Sequence, residues 1–168
     1  MAIAESILPE FDHETATTRT LLERVPEDRA AWKPHQKSMS LGQLAMHIAN
    51  LPQWASIALE RKEFDTNPPD GTRVTPPAFE SAAHLLQAYD ANVSAARALL
   101  ARTTDAELMV QWTLKNGGKS LFSMPRVAVL RSFVLNHAVH HRGQLSVYLR
   151  LLDVPIPNIY GPTADTQS

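Results

Sequence analysis

The chain contains no cysteine. That excludes disulfides, iron–sulfur clusters, cysteine-type zinc sites and a thiol nucleophile of its own. There is no surplus of charge of one sign either. Sixteen Lys and Arg face seventeen Asp and Glu, for a formal net charge of −1. No basic patch stands out, so a nucleic-acid partner is not expected. No run of about 18 apolar residues occurs, so no membrane span is expected. The opening MAIAESILPEFDHE lacks a positive region followed by a continuous apolar one. No signal peptide is therefore expected, and a cytoplasmic location is the expectation.

What is present is an ordinary globular mixture, 44% hydrophobic and 20% charged over 168 residues. That length fits one domain, residues 1-168, with a core that needs no disulfide support. Four segments carry helical periodicity. In the first, Ala2 to Val25, residues Ile3, Ile7, Phe11, Thr18, Leu21 and Val25 share a face, and Pro26 closes it. The second runs from Leu41 to Phe64. Ser40 with Gln43 forms a capping-box pattern, and Met39 with Leu44 a hydrophobic staple. Leu44, His47, Leu51, Trp54 and Ala58 form its stripe. Pro52 predicts a kink or break, because it removes a backbone donor and crowds the Ile48 carbonyl.

The proline-rich Thr66–Pro77, TNPPDGTRVTPP, reads as a stiff loop. The third helix spans Ala78 to Arg102, burying Leu85, Leu86, Tyr89, Val93, Ala96 and Leu100. Two short strands, Met109–Lys115 and Lys119–Phe122, flank the turn signal Asn116-Gly117-Gly118. The fourth helix runs from Pro125 to Leu152, and Pro155 and Pro157 prevent continuation. The tail reads as irregular. The expected fold is therefore all-α: a four-helix bundle with a short β-hairpin between helices three and four. The long second and third connections leave room for a crossover topology.

The histidines break this pattern. The fourth helix carries NHAVHHRGQL at 136–145 inside an apolar run. At about 100° per residue, His137 and His141 lie about 40° apart, at the centre of the predicted buried face. His140 falls on its edge, and Arg142 points to the opposite side. Two inward imidazoles at i, i+4 can bind one ion, and a divalent metal needs at least a third ligand. His47, on the apolar stripe of the second helix, is the best candidate. Three neutral imidazoles leave coordination positions open and suit zinc, nickel or iron(II). The alternative is a hydrogen-bonded polar core, but clustered imidazoles are costly to desolvate unless their ring nitrogens are satisfied. His13, His35 and His84 show no such placement and read as surface or structural residues.

A histidine early in the second helix, in LGQLAMHIANLPQW, together with the late N-H-x-x-x-H-R-G-Q element, resembles the DinB/YfiT-like superfamily of metalloenzymes. The resemblance covers nearly the whole chain. It implies that His47, His137 and His141 are the three metal ligands. It also implies an up-down-down-up bundle, a homodimer, and chemistry with low-molecular-weight thiols, as S-transferase or thiol-dependent isomerase.

A divalent ion on three imidazoles lowers the pKa of a bound water or thiol. With no cysteine in the chain, a thiol must come from a small-molecule substrate. The leading expectation is a metal-dependent S-transferase that directs such a thiol at a small electrophile. Metal-dependent hydrolysis is the first alternative. It wants a carboxylate base, and the second helix offers only Glu60 and Glu63, far from His47. A non-catalytic, stress-related metal-binding protein is the other. Gln144 faces the predicted cavity and would orient a ligand or a bound water, or be a satisfied buried amide. Trp54 and Tyr148 are expected in a substrate pocket or in the core. His140 is expected near solvent or behind the ligands, and the loop 66–77 at the mouth of the site.

Overall fold

The computed structural model describes residues 2–72, 75 and 77–166. The first helix, α1 (Ile3–Leu22), buries Ile7, Phe11, Thr18 and Leu21, as its periodicity predicts, and Leu22 besides. A single 3₁₀ turn, Glu27–Arg29, then leads to α2 (Leu41–Asn50). The capping box at its start is formed in full. The Gln43 backbone N–H donates to Ser40 Oγ at 3.2 Å, and the Ser40 N–H donates to Gln43 Oε1 at 2.8 Å. Met39 packs on the core cluster that contains Leu44.

Pro52 ends this helix. With no N–H at Pro52, the Leu51 N–H tightens onto the Ile48 carbonyl at 3.2 Å and the chain restarts as α3 (Gln53–Glu60). Sequence periodicity carried the second helix on to Phe64; instead, Glu63–Asp65 forms a strand, β1. After the 66–77 loop comes α4 (Ala82–Leu100), which starts four residues later than expected because Ser81 caps it. A short α5 (Asp105–Leu108) follows. The hairpin is formed by β2 (Gln111–Asn116) and β3 (Lys119–Pro125), paired from Asn116↔Lys119. Gly117 and Gly118, with φ of 61° and 79°, supply the two left-handed positions of a two-residue turn. The last helical stretch is not uniform. It comprises α6 (Arg126–Val129), a π-helical turn (Leu130–Leu135) and α7 (Asn136–Leu151).

The expected all-α four-helix description therefore needs correcting. The protein is mostly helical, its helical stretches number more than four, and it carries a three-stranded sheet of order β1-β2-β3. β1 joins because it runs parallel to β2 with Glu63 opposite Thr113. The Asp65 carboxylate also accepts the N–H groups of Asn67, Gly117 and Gly118 at 2.7–3.0 Å, tying β1 to the hairpin turn. Three segregated clusters hold the fold. One packs α1, α2 and α4 against α7 through Leu22, Leu44, Ile48, Leu85, Leu145 and Leu149. A second joins Ile7, Phe11, Ala96, Leu100 and Val134. The third seats the sheet on α3 and α6 through Trp112, Leu114, Ala58 and Val129. Among the described residues no helix is long and apolar enough to cross a membrane.

Candidate metal centre

The centre lies where α2 packs on α7. His47 sits half-buried in the last turn of α2, beside the buried Leu44, Ala45 and Ile48. His137 opens α7 immediately after the π turn. In that turn the Asn136 N–H reaches back five residues to the Arg131 carbonyl, so the backbone bonds are out of α-helical register. The Phe133 backbone carbonyl lies beside the His137 ring and favours its protonated form, against the larger effect of burial. His141 follows one turn later and is buried.

The three Nε2 atoms converge. His47 Nε2 lies 3.3 Å from His137 Nε2, and His141 Nε2 lies 2.9 Å from the same atom. Ligand atoms of all three residues fall within 4.8 Å of one another, and the cluster contains no carboxylate. The other ring nitrogen of His141, Nδ1, lies 2.7 Å from Gln144 Oε1. An amide oxygen only accepts, so Nδ1 carries the proton and Nε2 is left as a lone pair. A neutral His137 then either presents a second lone pair at 2.9 Å or gives its single proton to one of the two Nε2 atoms that face it, at 2.9 and 3.3 Å. Protonation is disfavoured as well. Burial, then charge on His141 and His137, pushes His47 down from 6.5 to about 4. Burial first and neighbouring histidines next hold His137 below its ordinary range. Burial also lowers His141, against the opposing pull of Gln144.

A cation resolves this conflict. Nitrogens about 2.0–2.1 Å from one zinc-sized ion lie about 2.9 Å apart at a right angle and about 3.3 Å apart at a tetrahedral angle. The His47–His137 and His137–His141 spacings match these values, and all three residues offer a ligand atom within 4.8 Å of the others, so the residues present suit a divalent ion held by imidazoles.

The other candidate residues are placed as follows. Gln144 has an exposed side chain that orients His141 instead of filling a cavity. His140 is exposed, its ring 4.8 Å from that of His141. His47 also forms part of the wall of a cavity of about 1180 Å³ between α2, α3 and α4, and Trp54 lines the same cavity. Tyr148 does not; its hydroxyl donates to the Met39 carbonyl at 3.3 Å and its ring meets Trp32 edge-on at 5.6 Å. From the loop 66–77, Thr66, Thr75 and Pro77 border the cavity, while Arg73, Val74 and Pro76 lie outside the described residues. His13 and His35 are exposed, and His84 is half-buried.

Arg142 corrects the sequence reading. Expected on the outer side of the helix, in a surface or interface salt bridge, it forms an ion pair but is 1% exposed. Its guanidinium donates to Glu14 Oε2 at 2.5 Å and to Thr18 Oγ1 at 3.1 Å, and contacts the Tyr160 hydroxyl. Sequence reasoning also missed the cavity amides Gln43, Asn50 and Asn92. Gln43 and Asn50 stand four residues before and three after His47, so helical spacing from that histidine would have found them. Nothing in the sequence points to Asn92.

The sequence profile of the DinB family matches residues 2–167. The chain belongs to the DinB family. The uncharacterized protein YrdA of Bacillus subtilis (strain 168) is 27% identical over 164 residues, covering 96% of this chain and 90% of YrdA. The crystal structure of a DinB-like protein from Bacillus cereus ATCC 10987 superposes with a TM-score of 0.71 at 25% identity, covering 95% of this chain and 98% of that one. The DinB-like protein YjoA of Bacillus subtilis shares the fold, with a TM-score of 0.66 at 22% identity over 89% of this chain and 96% of its own.

Proposed function

We propose that this DinB protein is a divalent-metal-dependent enzyme, an S-transferase that directs a small-molecule thiol at a small electrophile. The observation that carries the reading is the meeting of three imidazole Nε2 atoms with no carboxylate among them. A bound divalent ion supplies Lewis acidity that brings a thiol or water to its anionic form near neutral pH. The residues of the chain do the rest. His47, His137 and His141 hold the ion and leave positions open; Gln144 fixes the ring of His141. The absence of a carboxylate base from the cluster favours transfer of a thiol, which needs no further base once deprotonated, over hydrolysis. A cytoplasmic location, where low-molecular-weight thiols stay reduced, fits the same chemistry.

The long helical arms fit the up-down-down-up bundle of the DinB/YfiT-like fold, with α2 and α3 as one arm broken at Pro52. A homodimer fits too. Val139, Val147 and Leu151 are exposed at 39%, 56% and 58%, and lie in line on α7 with Gly143, whose surface is open. Such a stripe with a small central residue suits packing of two α7 helices.

The test is turnover of model electrophiles with glutathione, bacillithiol and mycothiol. A rate that requires added metal, and that His137→Ala abolishes, is expected with at least one of them. Absence of a metal-dependent rate with every thiol contradicts the transferase reading.

A further inference from the structure

We propose that the cavity beside His47 binds an uncharged, largely apolar small molecule bearing at least one hydrogen-bond donor and one acceptor. At about 1180 Å³ the cavity exceeds the roughly 300–1,000 Å³ of pockets that hold drug-sized ligands. Its apolar surface comes from Met39, Met46, Trp54, Phe64 and Phe79. Among the described lining residues there is no Lys, Arg, Asp or Glu. Away from His47, where a bound ion would supply charge, an anion entering it would lose hydration and gain no countercharge.

Three of the polar groups on the wall, beside His47, are amides already held in one orientation. Gln43 Oε1 accepts the Ser40 N–H of the α2 cap, which leaves Gln43 Nε2 as a donor. Asn92 Nδ2 donates to the Ala49 carbonyl at 2.9 Å, which leaves Asn92 Oδ1 as an acceptor. Asn50, between them, donates to the Met46 carbonyl at 2.8 Å. These bonds cap α2 and tie α4 to it, so the amides are oriented before a ligand arrives and little ordering is lost on binding. Neutral donors and acceptors on an apolar wall select an uncharged partner.

A low-molecular-weight thiol with free carboxylates is therefore a poor occupant, and the electrophile is the better one. That assignment as substrate rests on the proposed function; binding of the molecule does not.

The experiment is a fluorescence titration of the full metal-loaded chain with two probes of related aromatic skeleton. One, N-phenyl-1-naphthylamine, is uncharged; the other, 8-anilinonaphthalene-1-sulfonate, is an anion. The uncharged probe is expected to bind at least about tenfold more tightly. Ala91→Phe, from an exposed position on α4, places a ring in the cavity and is expected to weaken it at least about fivefold. Should that variant not fold, Gln53→Phe fills the cavity from α3 with the same expectation. His137 is not on the cavity wall, so His137→Ala is expected to lose metal yet keep probe affinity within about twofold. Loss of the transferase rate thus leaves this result standing. Equal or tighter binding of the anion, or undiminished binding of the uncharged probe by the filled variant, overturns the proposal.

Discussion

One oxygen atom decides which nitrogen of His141 is free to meet an ion. Gln144 Oε1 accepts from Nδ1 and leaves Nε2 bare, while the amide itself stays outside the cluster. Removing such an oriented partner lowers metal affinity by about 10–100-fold in comparable sites. Gln144→Ala is expected to show that loss in chelator competition, and Gln144→Glu, which still accepts, to restore most of it. The histidines also set a pH dependence. His47 titrates near 6.5 when unfolded and at about 4 when folded, so the unfolded chain takes up the proton first. Stability from neutral His47 is present above about pH 6.5 and is lost as pH falls towards 4. The metal-free protein is expected to lose melting temperature across that window, and metal-free His47→Ala to lose less. The ligand candidates were legible because i, i+4 spacing on one helix and one stripe position on another are properties of sequence. The crowding of Nε2 atoms was not, because tautomers follow from partners that only the fold brings near.

At the scale of the element, the π turn explains what a regular helical wheel misplaced. A wheel phased on Leu130 and Val134 carries their direction into α7. The turn at Leu130–Leu135 adds residues to one circuit, so the face that follows it is rotated. In α7 the buried side runs through His141, Arg142, Leu145 and Leu149, and Leu151 lies in solvent. Arg142 thereby enters the interior and ties α7 to Glu14 of α1 and to Tyr160 of the tail. Arg142→Ala strands the Glu14 carboxylate, a loss of about 3 kcal/mol at the lower end for a broken buried pair, since Tyr160 still donates to Glu14. Urea denaturation measures it; a cost near zero would remove Arg142 from the account of α7. Pro52 was readable as a break because proline acts locally. β1 was not readable, because three residues, Glu63–Asp65, become a strand only through Lys62, Asp65 and Thr66 meeting β2 and the hairpin turn.

At the scale of the molecule, the stripe Val139-Gly143-Val147-Leu151 has no cover within the chain among the described residues. Leu151→Asp is expected to shift the protein from dimer to monomer in sedimentation velocity without loss of helical signal. A wild-type monomer at micromolar concentration would contradict the dimer. Metal and fold are linked by mass action: an ion at about 100 times its dissociation constant stabilises the folded state by about 2.7 kcal/mol. Chelation is therefore expected to lower the melting temperature of the wild type and leave His137→Ala unchanged. Most directly, the central claim is tested by elemental analysis of protein purified without an affinity tag, beside His47→Ala, His137→Ala and His141→Ala. One divalent ion per wild-type chain is expected, with a stoichiometric loss in each variant and circular dichroism unchanged. A wild-type chain free of metal after incubation with zinc, nickel and iron(II), or full occupancy in the His137→Ala variant, would contradict it.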